Sequence, residues 1–132
     1  MAEDIRWRQR FRHFEVATEH LATALTIVSP TEVERAGIIH FFEMTFELGW
    51  KTMKDYLEEG GYTLTSPRET IKQAFQAGVI TDGHTWIEML DKRNELTHTY
   101  DKKTAAHALK KITEQYAPLL IALHHFLQLK NA

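Results

Sequence analysis

The sequence predicts an all-α fold, most simply an antiparallel up-and-down bundle of four longer helices and one short helix. Apolar residues recur at spacings of three, four and seven along most of the chain, which is the period of a helix with a buried face. Capping residues, glycines and prolines divide this pattern into five segments, and no stretch alternates like a strand. The 132 residues suit one domain, which we expect over 1–132.

The first helix is predicted over residues 4–28, before Ser29-Pro30. Its apolar positions are Ile5, Trp7, Phe11, Phe14, Leu21, Leu25 and Val28. Arginines at positions 6, 8, 10 and 12 interleave with two of the aromatic residues, as they do on some nucleic-acid-binding surfaces. Because Glu3 and Asp4 offset part of this charge, we interpret the arginine stems as packing beside the apolar seam.

The second helix is predicted to begin at a capping box formed by Thr31 and Glu34 and to end at Gly60-Gly61. Its apolar residues span more than one face, so we expect burial on two sides and a neighbour beyond the same chain. They are Ile38, Ile39, Phe41, Phe42, Phe46, Trp50, Met53 and Leu57.

Charged residues follow one line of this second helix. Glu47 and Lys51 form a favourable i,i+4 pair, and Asp55 extends the line. We interpret them as a solvated salt-bridge face, with a role in supporting a functional site as the alternative.

Three further helices complete the predicted bundle. Ser66 caps a short helix over about 67–77, and a fourth helix runs from the Thr81-Asp82-Gly83 turn toward Tyr100. Asp101 then caps a fifth helix that reaches about Lys130. Pro118 falls inside that helix, and we expect a kink there because proline lacks an amide donor and crowds the preceding turn.

Composition excludes several classes of function. Hydrophobic content is 43% and charged content 26%, and no apolar run approaches the roughly 18 residues of a membrane span. The chain has no cysteine and no signal-peptide pattern, which fits a cytoplasmic protein. Because no apolar run is long enough, we expect no membrane association. A net charge of -2 argues against general binding of nucleic acid, so contacts with phosphates are expected to be local.

Known metal and nucleotide motifs are also absent from the sequence. The eight histidines form no HExxH pattern, and there is neither a glycine-rich phosphate loop nor a Gly-Ser followed by paired aspartates. Without thiolates a closed structural zinc site is not expected either. We therefore predict no metal and no cofactor, and the chain by itself cannot transfer nucleotidyl groups.

The strongest functional signal lies within residues 90–101, where Arg93, Asn94, His98 and Tyr100 fall close together. Metal-free RNA cleavage needs a base for the 2′-hydroxyl proton, a cation for the phosphate and an acid for the leaving oxygen. Histidine and arginine suit these tasks near neutral pH. On a helix Arg93 and His98 would be about 140° apart. We therefore predict a symmetric homodimer in which both copies line one cleft.

The chain resembles the nucleotidyltransferase substrate-binding protein family, part of the HEPN superfamily of helical dimers. The matching segments are "FFEMTFELGWKTMKDYLEEGG" at 41–61, "SPRETIKQAFQAGVITD" at 66–82, "WIEMLDKRNELTHTYD" at 86–101, and a last helix containing Tyr116. The superfamily signature is Arg, four to six residues, then His, which Arg93 and His98 match. HepT-type toxins add a tyrosine two residues further on, here Tyr100.

This resemblance implies a toxin subunit encoded beside a minimal nucleotidyltransferase. For toxin members it implies a metal-independent ribonuclease built across a dimer. Our leading hypothesis is that Arg93 and His98 are the catalytic residues and that Asn94 orients them. The resemblance also implies that the partner silences the toxin by attaching AMP to Tyr100. Two alternatives stay open: a non-catalytic subunit that holds a nucleotide or substrate in the dimer cleft, and a helical interaction protein whose motif is structural.

Overall fold

The computed structural model of the chain describes residues 2–96 and 102–131, with side chains from 6 to 93 and from 102 onward. Six α-helices and one π-helical segment account for most of these residues, and the described part contains no strand. They are α1 (Ala2–Ala24), α2 (Glu32–Glu59), α3 (Pro67–Gln76), α4 (Gly83–Leu96), α5 (Lys102–Lys111), the π segment (Ile112–Tyr116) and α6 (Ala117–Asn131). The predicted all-α bundle is confirmed.

Helix α1 runs antiparallel to both α2 and α6. Trp7 packs edge-to-face on Tyr56 near one end of the α1–α2 pair, while the Thr45 hydroxyl donates to the Ala17 carbonyl near its middle, at 3.1 Å. On the other side Arg8 donates to Asn131, and His124 lies 2.8 Å from Glu15. These pairings give the up-and-down course that short connections between helices favour.

Aromatic residues fill the centre of the bundle. The largest side chains with under 2% of their surface exposed include Trp86, Tyr116, Phe14, Phe42 and Phe46. Gly49 allows α1 and α2 to approach closely here, because a Cβ at this position would lie 3.1 Å from Cε1 of Phe14. Burial of these rings is the main driving force for the fold, since each removes roughly 150–250 Å² from water.

Two predicted helix starts are confirmed by their caps. The Thr31 hydroxyl accepts from the Glu34 amide at 3.1 Å, and the Glu34 carboxylate accepts from the Thr31 amide at 2.9 Å. Ser66 likewise accepts from the amide of Glu69 at the start of α3. Each contact satisfies an amide that has no partner within its own helix.

The predicted end of the first helix is wrong by four residues, because α1 ends at Ala24 and not at Val28. The amides of Thr26 and Ile27 bond to carbonyls three residues back, which tightens the chain out of the α-helical pattern. Three consecutive β-branched residues at 26–28 disfavour a helix, and Val28 is 88% exposed, so burial does not compensate. Ser29 then adopts a positive φ of 53°, and Pro30 follows.

The predicted fifth helix is present from Lys102 to Asn131, but its hydrogen bonding changes before Pro118. Over the π segment the bonds run to the fifth residue back, as when the Ala117 amide donates to the Ile112 carbonyl. A widened turn here relieves the crowding that a proline imposes on the preceding turn. No helix among the described residues is both long enough and apolar enough to span a membrane.

Candidate functional site

Arg93 projects from the last turn of α4 onto the side of α2. Its Nη1 atom donates to Oε2 of Glu47 at 2.6 Å, and its guanidinium carbon lies 5.7 Å from the centre of the Phe46 ring. The side chain remains 27% exposed. An arginine at this end of a helix also interacts favourably with the helix dipole. The guanidinium is therefore fixed in place but still open to a ligand.

Glu47 is the centre of this small polar group. It accepts a second hydrogen bond from the Trp50 indole at 3.2 Å, and Lys51 Nζ lies 4.0 Å from its other oxygen. Only one guanidinium nitrogen contacts Glu47, whereas arginine has five N–H donors in a planar fork. Such a fork matches the geometry of phosphate oxygens.

The other residues of the predicted motif follow Arg93 directly. Asn94 lies on α4, and its side chain is outside the described part of the chain. His98 and Tyr100 lie within 97–101, also outside the described residues. Helix α4 is described to Leu96 and α5 from Lys102. The separation of Arg93 and His98 stays a prediction.

Asp55, the third member of the predicted charged line, is not part of the Arg93 group. It is 4% exposed, and its carboxylate faces α1, with Oδ2 3.2 Å from Arg10 Nε and Oδ1 3.7 Å from Arg6 Nε. The interpretation of a solvated face is therefore wrong for Asp55. Its charge is balanced by two arginines because an unpaired buried carboxylate would be costly.

These contacts also bear on the arginines of α1. Arg6 and Arg10 are held by Asp55, and Arg8 lies over the Trp7 ring at 5.1 Å while donating to Asn131. Three of the four arginines thus pack along the bundle, which agrees with the interpretation of arginine stems beside an apolar seam.

A groove runs along the exposed stripe of α2 next to the Arg93 group. It encloses about 440 Å³ and is lined by His40, Glu43, Met44, Glu47, Leu48 and Lys51. Met44 is 39% exposed and contributes apolar surface to the groove. Partial burial raises the pKa of the Glu43 carboxyl, and the nearby His40 offsets part of this effect. Glu47 belongs to both the groove and the Arg93 pair.

A second polar group joins α4 to the C-terminal helix and was not predicted from the sequence. The buried Tyr116 hydroxyl donates to Glu88 Oε1 at 2.7 Å, and Lys111 donates to the same oxygen at 3.2 Å. The hydrogen bond from Tyr116, with a smaller effect of Lys111, lowers the pKa of the Glu88 carboxyl. Within residues 2–96 and 102–131 no three acidic or histidine side chains are placed to hold a metal ion.

The chain belongs to the family described as nucleotidyltransferase substrate binding protein like, whose family model matches residues 9–129. The resemblance seen in the sequence is thereby confirmed at the level of the family. The helical bundle and the arginine that it presents are consistent with that membership.

Two relatives add detail. The chain is 33% identical over 78 residues to a protein of Haemophilus influenzae named "Probable ribonuclease HepT", a match that covers 53% of this chain and 51% of that protein. It therefore matches about half the length of this curated relative. A crystal structure of a protein from Thermus thermophilus superposes with a TM-score of 0.76 at 30% identity, covering 83% of this chain and 94% of the other.

Proposed function

We propose that this chain is a HEPN-type toxin subunit that cleaves RNA without a metal ion and is paired with a minimal nucleotidyltransferase. The observation that carries the proposal is the placement of Arg93, which Glu47 holds through one nitrogen while the guanidinium stays partly exposed at the end of α4. The similarity to a protein named as a probable ribonuclease supports it. A single domain over 1–132, acting in the cytoplasm where RNA is present, is part of the proposal.

In the proposed reaction His98 takes the proton of a ribose 2′-hydroxyl, whose oxygen then attacks the adjacent phosphorus. The bond from phosphorus to the 5′-oxygen breaks, and a second histidine donates a proton to that oxygen. Arg93 binds the phosphate oxygens that gain charge, and Asn94 orients the reacting groups. The products are a 2′,3′-cyclic phosphate and a 5′-hydroxyl. One histidine gains a proton and the other loses one, so the reaction takes up no net proton.

The second histidine comes from a second copy of the chain in this proposal. A two-fold axis beside the exposed stripe of α2 would bring the Arg93 group of each protomer to a common cleft. The partly exposed Met44 and Leu48 supply apolar surface for such a contact. Glu47 and Lys51 would border the cleft, whereas Asp55 supports it only through the packing of α1 on α2.

Regulation by the partner is the second half of the proposal. The nucleotidyltransferase would transfer AMP from ATP to the Tyr100 hydroxyl oxygen, two residues beyond His98, with release of pyrophosphate and of the hydroxyl proton. Each attached phosphate adds negative charge and bulk where the RNA phosphate must bind, so cleavage stops. Mass spectrometry after incubation with partner and ATP should find AMP on the wild type and none on Tyr100→Phe.

The alternative is a non-catalytic subunit that holds a nucleotide or substrate for the nucleotidyltransferase, which the description of the family suggests, whereas the relative named as a probable ribonuclease favours catalysis. Arg93 would then bind a ligand phosphate with no chemistry at His98. Ligand binding that survives His98→Ala, with no RNA cleavage by the purified protein, would support this alternative.

The decisive experiment incubates the purified full chain with RNA in the presence of a chelator. We expect cleavage by the wild type, loss of cleavage in His98→Ala, and retention in the control His125→Ala, which removes an exposed histidine of α6. Equal activity of wild type and His98→Ala would overturn the ribonuclease proposal. Cleavage that stops on addition of partner and ATP would support the paired system.

A further inference from the structure

Helix α5 is the most basic element of the molecule. Its ten residues include four lysines and one histidine and no acidic residue, although the whole chain has a net charge of -2. Its N-terminus follows directly on 97–101, the segment that contains His98. Positive charge is therefore concentrated beside the proposed catalytic segment.

Three of these lysines are available to a ligand. Lys102, Lys103 and Lys110 are exposed and form no ion pair within the described part of the chain. Lys111, by contrast, is bound to Glu88. The opposite face of α5 is buried through Ala105 and Ala108, so the free lysines point to solvent.

A groove continues this basic surface toward the turn between α1 and α2. It encloses about 540 Å³ and is lined by Ser29, Pro30, Arg35, Ala106, Leu109, Lys110, Thr113 and Glu114. Arg35 donates from Nη1 to the Pro30 carbonyl at 3.0 Å, but its Nε atom is buried without a hydrogen-bond partner among the residues that the structure describes. With Lys110 and Glu114 the lining keeps one net positive charge.

We propose that the solvent face of α5 and this groove bind the phosphate backbone of the RNA strand beyond the point of cleavage. This inference rests on the proposed ribonuclease function and names where its substrate lies. From Lys102 to Lys110 the helix rises about 12 Å, which is long enough to contact more than one phosphate of a strand. Lysines bind phosphates as point charges, so the contact carries no sequence preference.

The test measures binding of a fluorescent single-stranded RNA to the full chain over a range of salt concentrations, in a His98→Ala background that prevents cleavage. Neutralising two contacts in Lys103→Gln/Lys110→Gln should weaken binding about 10- to 30-fold at 0.1 M salt and reduce the salt slope by about 1.4. Lys72→Gln/Lys130→Gln is the matched control, because it removes the same charge from α3 and α6. It should leave the slope unchanged.

A variant that is expected to strengthen RNA binding provides a second test. Glu114→Gln removes the acidic group of the groove without changing its size, so RNA binding should become several-fold tighter. Thermal unfolding of every variant separates loss of binding from loss of fold.

Each outcome decides the proposal. Unchanged affinity and slope in the α5 variant, equal loss in the control, or no RNA binding by the parent protein would overturn it. Cleavage by the wild type with unchanged binding by the α5 variant would overturn this surface and leave the ribonuclease proposal standing. Binding that depends on α5 in a protein that does not cleave RNA would support this surface and overturn the ribonuclease proposal. Loss of nucleotidyltransferase binding alone would assign the surface to a protein partner.

Discussion

The Glu47 carboxylate holds Arg93 through a contact that is only partly buried, so the pair is expected to matter more for function than for stability. Arg93→Ala should reduce RNA cleavage about 100- to 1000-fold, because it removes the cation that faces the developing charge in the proposed reaction. The free energy of unfolding should fall by about 1 kcal/mol or less, as for other partly exposed pairs. Cleavage assays and thermal denaturation check both values.

Glu47→Gln serves as the companion variant. An amide oxygen still accepts from Arg93, so cleavage should fall about tenfold or less. A loss as large as that of Arg93→Ala, with the fold intact, would contradict a supporting role and give Glu47 a direct one.

Glu88 provides a prediction about pH. Because Tyr116 lowers the pKa of this carboxyl in the folded protein, the interaction stabilises the fold above the ordinary glutamate pKa, about 4.3, and is lost as pH falls through the lowered value. Tyr116→Phe keeps the ring that stacks on Phe42 and removes the hydroxyl. This variant should lower the free energy of unfolding by about 1 kcal/mol at pH 7, and its difference from the wild type should shrink in acid. A difference that grows below pH 4 would contradict the assignment.

At the scale of helices, the caps could be predicted from sequence because each depends on residues three apart. The capping box at Thr31 and the cap at Ser66 are of this kind. The end of α1 could not be placed as well, since Leu25 and Val28 continue the apolar period while their surroundings do not bury them fully. Periodicity identifies which residues could face a core, but it does not show whether neighbouring elements bury them.

The π segment is the second feature of the helices that periodicity did not predict. Pro118 indicated a disturbance, but a kink and a widened turn relieve the same crowding. The distinction depends on how Tyr116 and Leu120 pack, and therefore on the rest of the bundle.

A deletion tests the role of this segment. A π turn contains about one residue more than an α turn, so deleting Glu114 should convert it to α-helix and leave both flanking helices in register. Deleting Ala122, which is also exposed, should rotate the rest of α6 by about 100° and misplace Leu123 and Leu127. We expect the second deletion to lower the melting temperature more. Equal decreases in the melting temperatures of the two deletion variants would contradict this.

The whole molecule raises the question of a symmetric partner. The stripe around Met44 on α2 is the proposed contact, so Met44→Glu should convert the dimer to a monomer and abolish cleavage together. Leu129→Glu, at a residue that is 77% exposed near the end of α6, should change neither. Light scattering after size exclusion measures the mass. A wild-type protein that is monomeric at micromolar concentration would overturn the dimer.

The candidate site could be predicted only in part. Arg93, Asn94, His98 and Tyr100 were singled out because they lie close in the sequence, and for all but Arg93 the side chain lies outside the described residues, so their part in the site stays a prediction. The pairing of Arg93 with Glu47 could not be predicted, since 46 residues separate them and only the packing of α4 on α2 brings them together. Glu47 and Asp55 also looked equivalent in the sequence, although one borders the site and the other is buried against α1.

The uneven distribution of charge has a consequence for how a strand of RNA would reach the proposed binding surface. Helix α5 contributes four positive charges to a chain whose total is -2, so the other 122 residues together carry -6. A polyanion diffusing nearby is repelled by most of the surface and attracted toward one edge. Such a field orients a collision before any contact forms, and it extends only about 8 Å at physiological ionic strength. Encounters should therefore become slower and less oriented as salt is added.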